Sequence, residues 1–372
     1  MKYKNIKVVN SKSSRMSRLI VLCPYPEGVA PSQRLKYEQY FDVFLENGYE
    51  VIVIPFMSQR FWDIRFSSNK AYCKTLSLLG AYLSRIYSLP ALIRADIVYV
   101  HLWCTPVGLP LYEWLVRLLA KKLVYDIDDL IFAKKEEKGF LDKLSNSFFS
   151  GAKARYLLRT SDAVITCTPF LTEFSLRFNH RVHQIPSTVC TNRFAPRKRR
   201  HSRELVLGWT GSHSTIKYLR SIEEPLRALA ATKAFTLLVI GDKNYRVQGI
   251  RSIAFEWSES IETEMIPRMD IGLYPLINEF WVNGKSGLKA IQYMAVGIPV
   301  VASNFGCTRT VVEDGVTGFT VDHSHEWVER LALLLDDTSL RLSMGALGRS
   351  RVESLYSVQS NKEKYLGVLS SL

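Results

Sequence analysis

The sequence predicts an α/β protein built from two Rossmann-like halves, each a parallel sheet flanked by helices. Short apolar runs rich in β-branched residues alternate with helical stretches, and they do so in two successive series. One proline and four cations, Pro196–Arg200, separate the series and indicate an exposed linker. At 372 residues the chain is long enough for two domains of ordinary size.

The first series predicts six strands in the order expected of a parallel sheet. A long loop follows the first strand, and a helix is expected through Arg34–Asn47, where Gly48 ends it. Each later strand is preceded by helical material long enough for a crossover. The predicted strands are Leu19–Leu22, Glu50–Pro55, Ile97–Val100, Leu123–Tyr125, Ala163–Thr166 and Val182–Ile185.

The second series predicts five strands, with a helix over Thr215–Ala230 between the first two. These strands are Leu205–Trp209, Phe235–Ile240, Ile271–Leu273, Val300–Ala302 and Gly318–Val321. The final segment, Val358–Leu372, has a helical pattern and is expected to cross back onto the first half. The sequence therefore predicts domains over 1–200 and 201–355 and a returning C-terminal helix over 356–372, with ligands held in a cleft between the two domains.

The charge of the chain indicates a polyanionic partner. The formal net charge is +14, which suits a phosphorylated substrate, anionic lipid or nucleic acid, although many basic proteins are merely basic. Pro196–Arg200 is a candidate nucleic-acid patch, but no aromatic residue is interleaved and no nucleic-acid-binding motif accompanies it. We therefore expect no nucleic-acid partner.

Cysteine usage and hydropathy indicate a cytoplasmic protein. Six cysteines are scattered without a CxxC pair or a nearby histidine at metal-ligand spacing, so they predict reduced thiols. The apolar run Leu19–Cys23 is too short for a signal-peptide core, and no window reaches the roughly 18 apolar residues of a membrane span. Leu76–Ile93 comes nearest, but it contains Arg85 and Pro90. It fits either a peripheral helix on the inner face of an anionic membrane or ordinary packing against the sheet.

The stretch Gly284–Ser303 carries the strongest functional signal. Its first four residues, Gly284–Gly287, place small residues and a cation just before a predicted helix over Leu288–Ala295. Gly297 ends that helix, and Pro299–Ala302 is the apolar run of a buried parallel strand. Backbone N–H groups at a helix N-terminus, with a lysine beside them, are suited to hold a phosphate.

The order of these residues resembles the nucleotide-sugar-binding signature of the group 1 glycosyltransferases, the retaining family usually numbered four, whose fold is GT-B. The block Met-Ala-x-Gly-x-Pro-Val-Val is intact at Met294–Val301. The family signature also has two glutamates separated by seven residues, and here Gly284 and Gln292 stand at those positions. By the resemblance, the second position binds the ribose hydroxyls of the donor, and an amide can donate and accept hydrogen bonds there.

The resemblance implies a donor site in the second domain. Lys285 and Lys289 match a Lys-x-x-x-Lys variant of this loop, and Lys285 would meet a diphosphate as a point charge. Lys217 matches the lysine that balances the leaving diphosphate, whereas the family's arginine has no counterpart here. Gly211 and Ser212 are expected to present backbone N–H groups to the phosphates. The donor contacts implied are Gly28, Gly211, Ser212, Lys285, Ser286, Gly287, Leu288 and Gln292.

In the first domain the resemblance implies contacts to the sugar and to the acceptor. His101 matches a histidine that many relatives place beside the donor sugar, and Gly28 matches a glycine of the loop after the first strand. We expect Asp126, Asp128 and Arg34 to hold the acceptor, although paired acids there also suit a metal, domain packing or a helix cap. No metal is expected, because cations and helix N-termini take its place at the diphosphate.

The resemblance therefore implies a retaining glycosyltransferase, with His101, Lys217 and Lys285 catalytic through positioning and charge stabilisation. It would move a sugar from a nucleotide-diphosphate donor to a hydroxyl of a growing surface glycan or a lipid-linked acceptor, without a cofactor. The main alternative is a non-catalytic, glycan- or nucleotide-binding homologue in a polysaccharide assembly complex, because both signature acids are replaced. A nucleotide-sugar epimerase is a weaker alternative, since few acids and histidines are available for it.

Overall fold

The protein has two parallel sheets with helices on both faces, as the sequence predicts, and each sheet has six strands, one more in the second sheet than predicted. The structure is a computed structural model that describes residues 16–65, 71–130, 151–197 and 204–372. The predicted linker therefore lies mostly outside the described residues. The first sheet has the order β2-β1-β3-β4-β5-β6, and the second has the order β9-β8-β7-β10-β11-β12. Strand order reverses between β1 and β3 in one sheet and between β7 and β10 in the other, which are the usual ligand-binding points of such sheets.

The first domain carries six strands and seven described helices. Its strands are β1 (Ser17–Cys23), β2 (Tyr49–Pro55), β3 (Ile97–His101), β4 (Leu123–Ile127), β5 (Ala163–Thr166) and β6 (Val182–Gln184). Its helices are α1 (Pro31–Arg34), α2 (Phe41–Glu46), α3 (Gln59–Ile64), α4 (Ala71–Ile93), α5 (Leu111–Leu119), α6 (Gly151–Thr160) and α7 (Pro169–Leu176).

The second domain has the same layered plan. Its strands are β7 (Leu205–Thr210), β8 (Phe235–Gly241), β9 (Ser252–Glu256), β10 (Ile271–Tyr274), β11 (Val300–Ser303) and β12 (Gly318–Val321). Its helices are α8 (Ile216–Arg220), α9 (Glu223–Ala230), α10 (Glu259–Met265), α11 (Leu288–Ala295), α12 (Thr308–Val311), α13 (Ser324–Asp336) and α14 (Thr338–Arg351). Its central strands are buried on both faces, which is why they read as continuous apolar runs.

The C-terminal helix α15 (Val358–Ser370) packs on the first domain. The ring of Tyr365 lies 4.4 Å from that of Tyr40, within the core cluster that covers one face of the first sheet. Just before the helix, the backbone N–H of Val189 donates to the carbonyl of Tyr356 at 3.0 Å. The predicted return of the chain to its first domain is therefore present in the structure.

Two predicted helices are broken in the structure. The helix expected over Arg34–Asn47 is divided into α1, a 3₁₀ turn and α2. In a continuous helix the side chains of Gln33, Arg34 and Lys36 would point to different sides. Because the helix ends at Arg34, all three side chains are buried. The helix expected over Thr215–Ala230 divides into α8 and α9, because Pro225 lacks an N–H and crowds the carbonyl four residues earlier.

The sequence pattern missed strand β9. This strand lies at the edge of the second sheet and alternates half-buried with exposed positions over five residues. Its sequence, Ser-Ile-Ala-Phe-Glu, has no continuous apolar run, so the pattern that identifies buried parallel strands does not detect it.

Candidate functional site

The carboxyl ends of the two sheets face each other across a cleft, and side chains from both domains meet there. Leu130 follows β4 in the first domain and contacts Gly284, which follows β10 in the second. The ring of Phe170 at the start of α7 lies 6.0 Å from that of Phe280. The cleft therefore contains the reversal points of both sheets, where ligands bind in folds of this kind.

Arg34 lies in the contact between the domains. Its guanidinium donates to Glu262 at 2.6 Å and to Glu259 at 3.3 Å, both on α10, and lies 5.6 Å from the centre of the Trp257 ring. The residue is only 6% exposed. Both of its terminal nitrogens have carboxylate partners in the other domain, whereas its buried Nε has none among the described residues. The predicted acceptor contact of Arg34 stays a prediction.

Asp126, at the end of β4, is the centre of a buried polar network. Its carboxylate forms an ion pair with Lys36 and accepts hydrogen bonds from the Tyr99 hydroxyl at 2.6 Å and from His101 Nδ1 at 3.1 Å. Burial raises the pKa of Asp126, but Lys36 and His101 outweigh it, so the net shift is downward. The carboxylate is fully buried and already has these partners, and the predicted acceptor contact of Asp126 stays a prediction.

His101 is oriented by this network, which leaves its second nitrogen available. His101 Nδ1 lies 3.1 Å from the Asp126 carboxylate, and this contact fixes the orientation of the ring. Among the residues that the structure describes, Nε2 has no hydrogen-bond partner, nor does Asp128 Oδ1, which lies 3.9 Å from it. Burial raises the pKa of Asp128 to about 6 despite the opposing effect of His101 and Lys36. Polar groups of a ligand could form hydrogen bonds with each of these two atoms, and the predicted roles of His101 and Asp128 remain predictions.

The loop after β1 is held in place by two side chains. Gln33 accepts a hydrogen bond from the Tyr25 N–H and donates to the Tyr25 carbonyl, each at 3.0 Å. Glu38 accepts a hydrogen bond from the backbone N–H of Gly28 at 2.9 Å. Gly28 has a φ of +79°, although there is open space where a Cβ would be. A glycine is therefore required at this position by the backbone conformation and not by packing. Because the Gly28 N–H already donates to Glu38, a contact of Gly28 with the nucleotide sugar would have to use its exposed Cα or its carbonyl. That contact stays a prediction.

In the second domain, Lys289 lies at the strand-order reversal between β7 and β10. Its ammonium is 4.7 Å from the centre of the Trp209 ring and 5.7 Å from that of Tyr274. Although the residue as a whole is half-buried, burial of its ammonium and the nearby charge of Lys285 lower the pKa of Lys289 to about 7. Two neighbouring cations at the carboxyl edge of a sheet are arranged to receive an anion.

Unpartnered polar atoms belong to the two elements that meet here, β7 and α11. Trp209 Nε1, Thr210 Oγ1 and Gln292 Nε2 are buried without a hydrogen-bond partner among the described residues. The first two belong to the end of β7, and Gln292 is one helical turn beyond Lys289 on α11. Buried polar groups in native proteins are nearly always satisfied, so this concentration of donors is suited to a polar ligand.

The start of α11 has the predicted open form. Gly287 stands at its N-cap with a φ of +71° and provides no side-chain cap to the first turn, which begins at Leu288. A Cβ on Gly287 would also lie 2.8 Å from Val311 Cγ2, so only glycine fits both the backbone and the space. The N–H groups that follow, together with Ser286 and Lys285, form the end of a helix dipole that favours an anion. Their predicted contacts to the donor remain predictions.

The amides predicted to hold a phosphate after β7 have other partners. The N–H of Gly211 donates to the Ile240 carbonyl at 2.9 Å, and the N–H of Ser212 donates to Thr215 Oγ1 at 2.9 Å. Gly211 is a glycine for a packing reason, because a Cβ there would lie 2.6 Å from the Thr215 hydroxyl and even closer to the Trp209 ring. The predicted phosphate contacts of these two amides stay predictions, and they would require the N–H groups to exchange their present partners.

Lys217 is paired with a carboxylate in this structure. Its ammonium donates to both oxygens of Glu279, each at 2.9 Å, and lies 4.9 Å from the centre of the Trp281 ring. The pair is partly exposed, so water and salt weaken it. The predicted contact of Lys217 with a diphosphate would require the phosphate to displace or share the Glu279 carboxylate.

Several residues of the cleft could not be identified from sequence patterns. Lys36, Glu262 and Trp257 act through partners that are far away in the chain, and no local motif marks them. A charged aspartate that is buried at the end of a strand requires a cation as its partner. Asp126 could therefore have indicated that a partner cation exists, but not that this cation is Lys36. Within the described ranges, histidine, cysteine and acidic side chains form no group of three or more that suits a metal ion. The expectation that no metal is needed stays a prediction.

Comparison with known proteins identifies the second domain. Residues 204–337 match the family described as "Glycosyl transferases group 1". The second domain is a group 1 glycosyltransferase domain. A D-inositol 3-phosphate glycosyltransferase from Paenarthrobacter aurescens is 41% identical over 70 residues, which is 18% of this chain and 17% of that protein. The chain thus spans less than a fifth of that curated relative's length.

The family match covers only the group 1 glycosyltransferase domain, whereas solved structures match nearly the whole chain. Sucrose-phosphate synthase from Thermosynechococcus elongatus matches with a TM-score of 0.67 and 16% identity over 96% of this chain and 99% of that chain. HepE from Anabaena, solved in complex with UDP-glucose, matches with a TM-score of 0.63 and 15% identity over 96% of this chain and all of that chain. The fold is therefore GT-B, as the resemblance implied.

Proposed function

We propose that this protein is a retaining glycosyltransferase that transfers a sugar from a nucleoside-diphosphate sugar to a hydroxyl of a glycan or a lipid-linked acceptor. The observation that carries the proposal is the contact of Lys289 with the Trp209 ring, close to the charge of Lys285, together with the unpartnered buried polar atoms of Trp209, Thr210 and Gln292. These groups lie where the second sheet reverses its strand order. The UDP-glucose complex of HepE, a structural neighbour, supports a nucleotide-sugar donor, and UDP is therefore the first nucleotide to test.

The chemistry of this transfer requires positioning and charge stabilisation. The bond from the anomeric carbon of the sugar to the phosphate oxygen breaks, and a bond from the acceptor oxygen to that carbon forms on the same face. The acceptor proton moves to the leaving phosphate oxygen. Lys285 and Lys289 would stabilise the charge on the leaving diphosphate, and Lys217 would join them if Glu279 moves away.

The first domain would bind the sugar and the acceptor. His101 Nε2 and Asp128 Oδ1 are buried polar atoms near the carboxyl edge of the first sheet, and neither has a hydrogen-bond partner among the described residues. Asp126 fixes the His101 ring, so Nε2 can accept a hydrogen bond from a sugar hydroxyl without moving. Lys36 neutralises Asp126, which stabilises the network in a site that excludes water.

A non-catalytic nucleotide- or glycan-binding protein is the second candidate function. One structural observation favours it: the position of the family's first acid, Gly284, is covered by Leu130. In that case the donor site would still bind a diphosphate, but no sugar would be released from a nucleotide sugar. The two candidates therefore predict the same binding and different turnover.

Calorimetric titration with UDP, GDP, dTDP and ADP, without added metal, tests the donor site. We expect one diphosphate to bind and both Lys285→Ala and Lys289→Met to weaken its binding by about tenfold or more. Lys243→Ala is the matched control, because Lys243 is an exposed lysine of the same domain whose ion pair is with the exposed Glu256. Equal binding by all four proteins, or no binding of any diphosphate, would rule out the proposed donor site.

A further inference from the structure

An exposed apolar face covers helices α4 and α5 of the first domain. We call it the α4–α5 face and define it by six residues, Tyr72, Leu79, Leu83, Ile86, Trp114 and Leu118. Each of them is between 51% and 75% exposed. In the described part of the chain, 22 large hydrophobic residues are exposed, and eleven of them lie on α4, on α5 or in the two residues before α5. Such a concentration on one surface indicates an interaction site.

The apolar residues of α4 follow one side of the helix. Leu76, Leu79, Leu83 and Ile86 recur at intervals of three and four, so they point in the same direction. The buried residues of this helix lie on the opposite side. The outward side of α4 is therefore the apolar one, which is the reverse of what a helix facing water requires.

The inward side of α4 carries a charge that fixes the helix to the sheet. Arg85 is 1% exposed, and its guanidinium donates to the carbonyls of Cys23 at 2.8 Å, Ile54 at 2.7 Å and Cys104 at 2.9 Å. By length and composition, α4 is the one described helix able to cross a membrane. Its most apolar segment of 18 residues has a mean hydropathy of 1.3, and 22% of that segment is buried in the protein. The Arg85 contacts instead hold α4 along the protein surface, so it is placed to lie on a bilayer rather than across it.

The charges around this face suit an anionic lipid surface. Helix α4 contains no aspartate or glutamate, and the one acid of α5, Glu113, is fully buried. Lys74 lies near one end of α4 and the exposed Arg94 just after the other, and the chain as a whole carries a net charge of +14. Half-polar aromatic rings such as those of Tyr72 and Trp114 are favoured at the boundary between lipid and water.

We propose that the α4–α5 face docks the protein on an anionic lipid bilayer, with α4 lying in the interface. The Arg85 contacts also show where this face lies relative to the cleft. Cys23 and Ile54 belong to the carboxyl ends of β1 and β2, so the half of α4 before Arg85 extends beyond that edge of the sheet. Docking would therefore bring the mouth of the cleft close to the lipid, but it does not depend on the proposed transfer reaction.

Flotation of the full-length protein with lipid vesicles tests this inference. The vesicles are phosphatidylcholine alone, or phosphatidylcholine with about one third phosphatidylglycerol. We expect the protein to float with the anionic vesicles, and Leu79→Glu/Leu83→Glu to lower the bound-to-free ratio by about tenfold or more. The matched control is Leu342→Glu/Leu347→Glu, because these leucines are 50% and 47% exposed on α14 of the other domain.

A second variant and a second measurement keep the inference falsifiable. Lys74→Glu/Arg94→Glu leaves the apolar residues unchanged and is expected to weaken vesicle binding by several-fold, as salt near 0.5 M does for the unaltered protein. Equal loss in the α14 control, or no flotation of the unaltered protein, overturns the proposal. Sedimentation velocity distinguishes a second copy as the occupant: a dimer that Leu79→Glu/Leu83→Glu disperses, without vesicle binding, also overturns it.

Discussion

Gly284 of the second domain lies directly against Leu130 of the first. A Cβ on Gly284 would be 2.7 Å from Leu130 Cγ and 3.0 Å from the Leu130 backbone nitrogen. Relatives place the first acid of their signature at this position, so in this closed arrangement the acid is replaced by a contact between the domains. The absence of that glutamate is therefore part of how the two domains of this protein meet.

Substitution of Gly284 is expected to disturb domain closure. Gly284→Ala forces Leu130 and its backbone to move, and overpacking of this kind costs about 1–3 kcal/mol. We expect a larger radius of gyration in small-angle X-ray scattering and weaker diphosphate binding. Gly367→Ala is the control, because that glycine lies on the exposed side of α15 with open space around it. An unchanged radius and affinity in Gly284→Ala would show that the contact is unimportant.

Restoring the family's acid provides a sharper version of this test. Gly284→Glu is expected to disturb the protein more than Gly284→Ala, because a longer charged side chain cannot fit against Leu130. If Gly284→Glu instead raised turnover with any nucleotide sugar, the closed contact would not be the reason for the glycine.

The Asp126 network is expected to contribute to stability. Asp126→Asn leaves Lys36 as a buried cation without its anion, and breaking a buried pair in this way costs about 3–5 kcal/mol. Urea unfolding followed by circular dichroism measures that change in the free energy of unfolding. The control is Asp322→Asn, an exposed carboxylate for which we expect about 0.5 kcal/mol or less.

A double variant separates the ion pair from the rest of the network. Lys36→Met/Asp126→Asn removes both charges, so its unfolding free energy should lie above that of Asp126→Asn alone. If the two changes simply added, the ion pair would not be the source of the loss, and the account of this network would be wrong.

Diphosphate binding is expected to weaken as the pH rises through about 7. In the free protein, burial and Lys285 lower the pKa of Lys289 to about 7, so this lysine loses its charge above that pH. A bound diphosphate favours the charged form, so binding near pH 8 takes up a proton. Calorimetry in two buffers of different ionisation enthalpy measures that uptake. Lys289→Met should abolish the uptake, and an unchanged uptake in that variant would assign it to another group.

The same shift predicts a stability effect in the opposite direction. Because the pKa of Lys289 is lower in the folded protein than in the unfolded chain, the unfolded chain binds more protons between pH 7 and 10.5. The contribution of Lys289 to stability therefore rises across that window. Lys289→Met should remove this rise, which is visible as a smaller difference between the unfolding free energies at pH 7 and pH 9.

The Lys217–Glu279 pair is expected to compete with the diphosphate. Glu279→Gln removes the carboxylate that holds Lys217 at 2.9 Å, so this lysine becomes available to the phosphates. We expect tighter diphosphate binding in Glu279→Gln, by about twofold to tenfold, and weaker binding in Lys217→Met. Weaker binding in Glu279→Gln would mean that this carboxylate orders the site instead of blocking it.

Much of the fold could be predicted because parallel sheets leave a strong signal in the chain. The central strands are apolar throughout, so both sheets and the returning helix α15 are visible in the pattern of residues. The edge strand β9 and the helix break before Pro225 were not visible in this pattern. Strand β9 is partly exposed and lacks a continuous apolar run, and the break depends on the ring of one proline. Local sequence patterns contain neither kind of information directly.

The site was harder to predict, because its geometry depends on contacts between distant residues. The motif around α11 correctly located the cationic end of the helix, since those residues are adjacent in the chain. Arg34 and Asp126 were assigned to the acceptor from their places in the chain, one at the opening of the first helix and one at the end of a strand of the first sheet. Their partners, Glu262 and Lys36, come from 228 and 90 residues away, so no local pattern could show that both were already paired.

Release of the nucleoside diphosphate from its sugar is the measurement that tests the central claim most directly. The donor is the nucleotide sugar whose diphosphate binds in calorimetry, and slow release to water is measurable without knowing the acceptor. We expect release by the unaltered protein and a fall of about a hundredfold or more in Lys285→Ala/Lys289→Met. Tight binding with no release above the uncatalysed rate would contradict the account and identify a nucleotide-binding protein without transferase activity.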